Sequence, residues 1–236
     1  MLKSELIERS PIRIFEKSIH GGLGRGNLGV VTARKGVGKT ACLAHIAIDK
    51  MLRGKKVLHI SFHDDPHHVE SWYRLVFDEL ARTYHLEQAS DIFQELIQHR
   101  LIIHFRGKSV SFEKIQSSIR NIEGGAHFSP EVIIVDGYDF EHITKATMAG
   151  WKQFAVDQDS AIWFAAVMHR ENLQLDAQGV PAPVNLFTDF FAVIIMLNPV
   201  HDYIDMQLLK DHDSMEPERI RLKLDPKTML LQNHRV

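Results

Sequence analysis

The chain has one cysteine, Cys42, among 236 residues, so no internal disulfide framework can form, and a reducing, cytoplasmic address is the expectation. It lacks an apolar run of the ~18–20 residues needed to cross a bilayer, and no membrane partner is expected. The first ten residues, MLKSELIERS, carry no apolar core of the signal-peptide type. No charge of one sign predominates. Lys and Arg number 28 against 30 Asp and Glu, a formal net charge of −2, which excludes a chain-wide basic footprint for nucleic acid but not a local patch. Internal repeats, low-complexity tracts and long linkers are also missing. What is present is 44% hydrophobic residues with 25% charged ones, enough for a packed core, and 15 histidines.

Short apolar, β-branched runs alternate with longer amphipathic stretches. Strands are expected at 28–33, 57–61, 101–105, 132–136 and 162–168, with helices at about 40–53, 67–84, 111–122 and 141–157. Strands separated by helices predict a mostly parallel sheet flanked by helices. From about residue 190 the character changes. Apolar runs at 192–197, 203–209, 219–224 and 228–231 follow one another closely and predict antiparallel hairpins extending the sheet, one of them turning at Asp225–Pro226. The expectation is one α/β domain over 1–236, with a lead-in over 1–20 and a β-rich edge over 190–236.

The segment ARKGVGKT (33–40) follows the first strand and opens a helix. That context suits a phosphate-binding loop, formed by Ala33, Arg34, Lys35, Gly36, Val37, Gly38, Lys39, Thr40 and Ala41. Gly36 and Gly38 let backbone N–H groups turn onto phosphates where a side chain would block approach. Lys39 can reach the outer phosphates, and the Thr40 hydroxyl can coordinate Mg²⁺. A chance glycine-rich turn is the competing reading. The run VIIVDG (132–137) ends its strand in Asp136 about 95 residues downstream, where a carboxylate can hold a water of the Mg²⁺ shell. Gly137 follows it, so a glutamate directly after this aspartate is missing.

On these residues the chain resembles the RecA-like P-loop ATPases, within them the KaiC clock ATPase and the DnaB-type replicative helicase motor. GGLGRGNLGVVTARKGVGKT (21–40) looks like the KaiC-type lead-in, while Ala33 matches a DnaB-type loop. The resemblance spans roughly 15–225 and is specific at 21–40. It implies a RecA-like P-loop NTPase core using ATP and Mg²⁺. It also implies a glutamate after the second strand that polarises water, and a lysine and arginine on a late turn that reach a neighbouring subunit's γ-phosphate. In VLHISFHDDP (57–66) the glutamate position is taken by His63, followed by Asp64. In LLKDHDS (208–214) Lys210 matches the lysine and His212 stands at the arginine. His169, with Arg170, ends the fifth strand where the family senses the γ-phosphate; a solvent-facing strand exit is the competing reading.

The expected activity is therefore slow ATP hydrolysis in a regulatory role. Two alternatives stay open: a nucleotide sensor or scaffold that does not hydrolyse, and a DNA-dependent recombinase or helicase-like motor. The segment 171–187 carries acids and no lysine or arginine, so nucleic acid is not the favoured partner. A homo-oligomer or a protein partner is compatible with the fold. HDDPHH (63–68) has metal-like spacing, but Asp65 before Pro66 reads better as a helix cap with surface histidines. The following helix shows an apolar stripe at Val69, Trp72, Leu75, Val76, Leu80 and Tyr84, which is expected to cover the sheet. Trp72 and Tyr73 are read as core in preference to base-stacking platforms. Cys42 is read as buried and structural, Lys223 and Lys227 as solvated.

Overall fold

A computed structural model describes residues 1–106, 110–168, 175–217 and 219–233. Nine strands form a single sheet in the order β3-β2-β4-β5-β1-β6-β7-β8-β9. In chain order they are β1 (Leu28–Ala33), β2 (Val57–Ser61), β3 (Arg100–His104), β4 (Val132–Asp136), β5 (Ala161–Val167), β6 (Phe191–Val200), β7 (Tyr203–Asp211), β8 (Leu222–Leu224) and β9 (Leu231–Asn233). The pairings from β3 across to β6 are parallel, and β6 through β9 pair antiparallel. The α/β architecture with a mostly parallel sheet and C-terminal antiparallel strands is thus as the patterning predicts.

The central strands read as continuous apolar runs because both faces are covered. Val31 and Ala33 of β1 join one core layer, Leu28 and Val30 the other. The first layer is covered by α3 (Lys39–Leu52), α4 (Pro66–Tyr84) and α5 (Ala89–Ile97), and the second by α6 (Phe112–Ala126), α7 (Lys145–Asp157) and a 3₁₀ turn, Val184–Phe190. Asp65 caps α4 by accepting from the His68 amide at 3.0 Å, with Pro66 as the first helical residue.

Several expectations need correction. The lead-in is helical: α1 (Lys3–Arg9) and α2 (Pro11–Ser18) pack on the first layer, and ion pairs of Glu16 with Lys50 and Arg53 clip α2 to α3. The helix α5 and the 3₁₀ turn are additional elements. The last two strands are shorter than the apolar runs, because Thr228–Leu230 belong to a turn closed by Asp225 N–H donating to the Leu230 carbonyl at 2.9 Å. On α4 the buried face is Val69, Tyr73, Val76, Phe77 and Leu80, while Leu75 is 44% exposed and Trp72 and Tyr84 are half-buried.

Tyr73 wins the core position because its hydroxyl has a partner there. His59, midway along β2 and fully buried, sets its Nδ1 3.0 Å from that oxygen. The Arg100 guanidinium lies 4.6 Å over the Tyr73 ring. Burial, reinforced by Arg100, pushes His59 down to about 3, and burial takes His45 of α3 down to about 4. Both are neutral in the folded chain and bind a proton near pH 6.5 once unfolded. The unfolded state then holds more protons, and this part of the stability, present above pH 6.5, is lost as pH falls toward 4 and 3. We expect the unfolding free energy to drop between pH 6 and pH 5 by about 1.4 kcal/mol per unit for each histidine. Urea titrations of the wild type and of His59→Gln, which should lose about half of that slope, check it.

Candidate functional site

The C-terminal ends of β1, β2 and β4 meet on one edge, and the loop 34–38 leads from β1 into α3. Gly38 precedes the helix with φ of 106°, a left-handed conformation that side chains rarely adopt. It cannot offer a side-chain cap, so the first amides of this 14-residue helix are not capped from its start. Arg34, Lys35 and Gly36 are exposed, Val37 is half-buried, and Ala33 and Ala41 lie in the core. The space above Gly36 is open.

Lys39 is 8% exposed and bends back across the loop. Its Nζ donates to the carbonyls of Ala33 at 3.2 Å and Arg34 at 3.1 Å. Burial lowers its pKa, and the nearby Asp136 charge opposes that shift. Thr40 Oγ1 donates to Asp136 Oδ2 at 2.7 Å. Burial raises the Asp136 pKa. Thr40 and Lys39 pull it back, Asp64 adds like-charge repulsion, and His63 offsets part of it. These groups make a compact set: an ammonium, a hydroxyl and a carboxylate whose charge is only partly neutralised by the protein.

His63 and Asp64 are brought to this set by β2, whose last residue, Ser61, pairs with Asp136 in the sheet register. The Phe62 amide donates to the Asp136 carbonyl at 3.0 Å. The Ser61 hydroxyl then closes a tight turn, donating to the Asp64 carbonyl at 2.7 Å and accepting from its amide at 3.0 Å. The exposed His63 ring lies across Gly137: a Cβ there would sit 2.8 Å from His63 Cδ2. The Asp64 carboxylate points toward His68 Nε2 at 3.8 Å.

Lys210 and His212 are not part of this set. Lys210 in β7 is level with Ile194, which pairs with Val30 in the middle of β1, and His212, just after β7, donates its amide to the Ala192 carbonyl, so neither is level with the loop. Lys210 donates to the Thr188 carbonyl at 2.9 Å, and His212 Nδ1 lies 2.7 Å from the buried Asp211, which also binds His20. His169 and Arg170 lie outside the described residues. The histidines of HDDPHH form no metal triad; among the described residues three potential ligands cluster only at Asp139, Glu141 and His142, whose donor atoms fall within 4.8 Å of one another. Cys42 is fully buried, and burial pushes its thiol up to about 12, as expected of a structural cysteine.

No known family model matches the chain, and no curated protein matches it significantly.

Two contributors escaped the sequence patterning. Ser61 shapes the turn that presents His63, and Gly137 provides the space for its ring. The signal for Gly137 was a glycine immediately after a strand-ending aspartate, where its φ is 79°. Gly137→Ala is expected to cost about 1–2 kcal/mol for the left-handed backbone alone. Adding His63→Ala should recover the steric part and leave the backbone part. A double-mutant cycle by urea denaturation measures both.

Proposed function

We propose that this protein is an ATP-binding protein with a RecA-like P-loop core, which hydrolyses ATP slowly with Mg²⁺ in a regulatory role. The observation that carries the reading is the join between Thr40 and Asp136 beneath a loop held by Lys39. The donors suit the group they would hold. Lys39 presently spends its protons on two loop carbonyls, which a phosphate oxygen can replace as a stronger, charge-assisted acceptor. The amides at the start of α3 add N–H donors and the positive end of the helix dipole. Thr40 and Asp136 supply the hard oxygen ligands, direct and water-mediated, that Mg²⁺ prefers. A magnesium ion held by Thr40 and Asp136 would supply positive charge against the phosphates.

Under this reading His63 is the group that orients water. Its imidazole carries ring nitrogens that can hydrogen-bond a water molecule. A ring resting on Gly137 is a less reaching base than a glutamate, and Asp64 is engaged toward His68, so turnover should be slow. That same pairing is what favours the second reading, a nucleotide sensor that binds without hydrolysis. Lys210 and His212, engaged with the Thr188 carbonyl and Asp211, take no part in this reading within one chain.

Calorimetric titration with Mg²⁺ and ATP tests the proposal: the wild type should bind, Lys39→Ala should not, and no binding at millimolar nucleotide would sink it. Phosphate release measured against Lys39→Ala separates slow hydrolysis from none. His63→Glu should raise the rate, by up to the ~10²–10⁴ that a positioned general base contributes.

A further inference from the structure

The C-terminal hairpin of β8 and β9 has no part in the chemistry above, yet it touches the loop. The β1–β6 ladder ends at Thr32 and Met196, whereas the β6–β7 ladder continues to Val200 and Tyr203. β8 pairs with this overhanging part of β7, Leu224 opposite Ile204. The turn after Leu224 is thereby lifted to the level of the phosphate loop.

The contact falls on Gly38. A Cβ at that position would lie 2.6 Å from Leu224 Cδ2 and 3.6 Å from Met229 Sδ. Leu224 is fully buried, as are Leu222, Leu230 and Leu231 around it. The hairpin is also tied to α3. His45, 2% exposed, sets Nε2 3.1 Å from the Met229 carbonyl and 3.2 Å from the Leu231 amide. A single ring nitrogen either donates to the first or accepts from the second, so one tautomer or the other holds the hairpin. The turn itself is stiffened from within: Met229 N–H donates to the Asp225 carbonyl at 2.7 Å, and Lys227 N–H to Asp225 Oδ1 at 2.8 Å.

A left-handed glycine is the most pliable residue of such a loop. Here Leu224 packs against Gly38 on one side and α3 begins on the other. We propose that the β8–β9 hairpin is a positioning element of the phosphate loop, in which Leu224 backs Gly38 and His45 pins the hairpin to α3. These two residues then set the affinity for an anionic ligand without touching it. The inference rests on the nucleotide reading above for the identity of that ligand, but the ordering of the loop is testable without it.

Four variants and two measurements decide the matter. Leu224→Ala removes the backing, Leu224→Val trims it in case the alanine variant fails to fold, and His45→Leu removes the pin. His45→Gln keeps both a donor and an acceptor and should behave as the wild type. Amide hydrogen exchange without ligand is the first measurement. The amides of Val37 and Cys42, bonded to the Arg34 and Gly38 carbonyls, should exchange roughly fiftyfold faster in Leu224→Ala and about fourfold faster in Leu224→Val, as expected from three buried carbons lost against one. Amides of β2 and β4 should keep their protection. Loop exchange equal to the wild type, or a rise spread evenly over β2 and β4, overturns the proposal. The second measurement is the dissociation constant for ATP with Mg²⁺, which should weaken in step with loop exchange in Leu224→Val and His45→Leu and be restored in His45→Gln. Unchanged affinity in those variants overturns the proposal. A wild type that binds no nucleotide instead sinks the nucleotide reading, and the exchange data still decide on the hairpin.

Discussion

The hydrogen bond from Thr40 to Asp136 joins two strands that are not neighbours. β5 lies between β1 and β4 in the sheet, so the loop after β1 must fold over the end of β5 for α3 to reach the β4 carboxylate. Everything else at the site follows from that span. Gly38 must take a left-handed turn to start α3 there, Lys39 must curl back to the loop carbonyls, and Asp136 is covered by the helix it binds. Covering Asp136 is costly for its charge, which explains why its pKa rises although a hydroxyl and an ammonium stand beside it. A divalent cation is the group that would relieve this most directly.

The interior around that arrangement is largely apolar; its buried acids Asp49 and Asp211 are paired with Arg13 and with His20, and two buried histidines are kept neutral. His59 and His45 sit in the same core layer as α3 and carry no charge when folded. His59 engages Tyr73 through one nitrogen while its Nε2 has no partner, and the Arg100 guanidinium rests on the ring of that tyrosine. This chain of groups joins the edge strand β3 to β2 and α4, the elements that deliver His63 and Asp64.

Strands β1, β2 and β4 could be read to the residue because buried parallel strands are uninterrupted apolar runs with polar ends. The loop was legible for a related reason: its glycines and lysine sit between a strand and a helix. The face of α4 was not, since Trp72 and Tyr73 are adjacent and the choice between them was made by His59, on another element. The short, charged helices α1 and α2 gave no periodic signal strong enough to read; Leu6 of α1 and Ile12 and Phe15 of α2 hold them in the first core layer, and α2 adds ion pairs to α3 that span more than thirty positions. The backing of Gly38 by Leu224 joins residues 38 and 224, a distance that no local pattern encodes.

His63 and Asp64 form one corner of the site, and its geometry orders the two. Ser61 binds both the amide and the carbonyl of Asp64, so the backbone there is closed into a turn, and the carboxylate leaves it toward the start of α4. His63, one residue earlier, projects the other way, over Gly137 and next to Asp136. Any side chain at 137 would push that ring aside, so the absence of a residue larger than glycine after Asp136 and the presence of histidine after Phe62 belong together. The acid is the cap-side residue and the imidazole the site-side one, so of the pair it is His63 that lies beside the Thr40–Asp136 set.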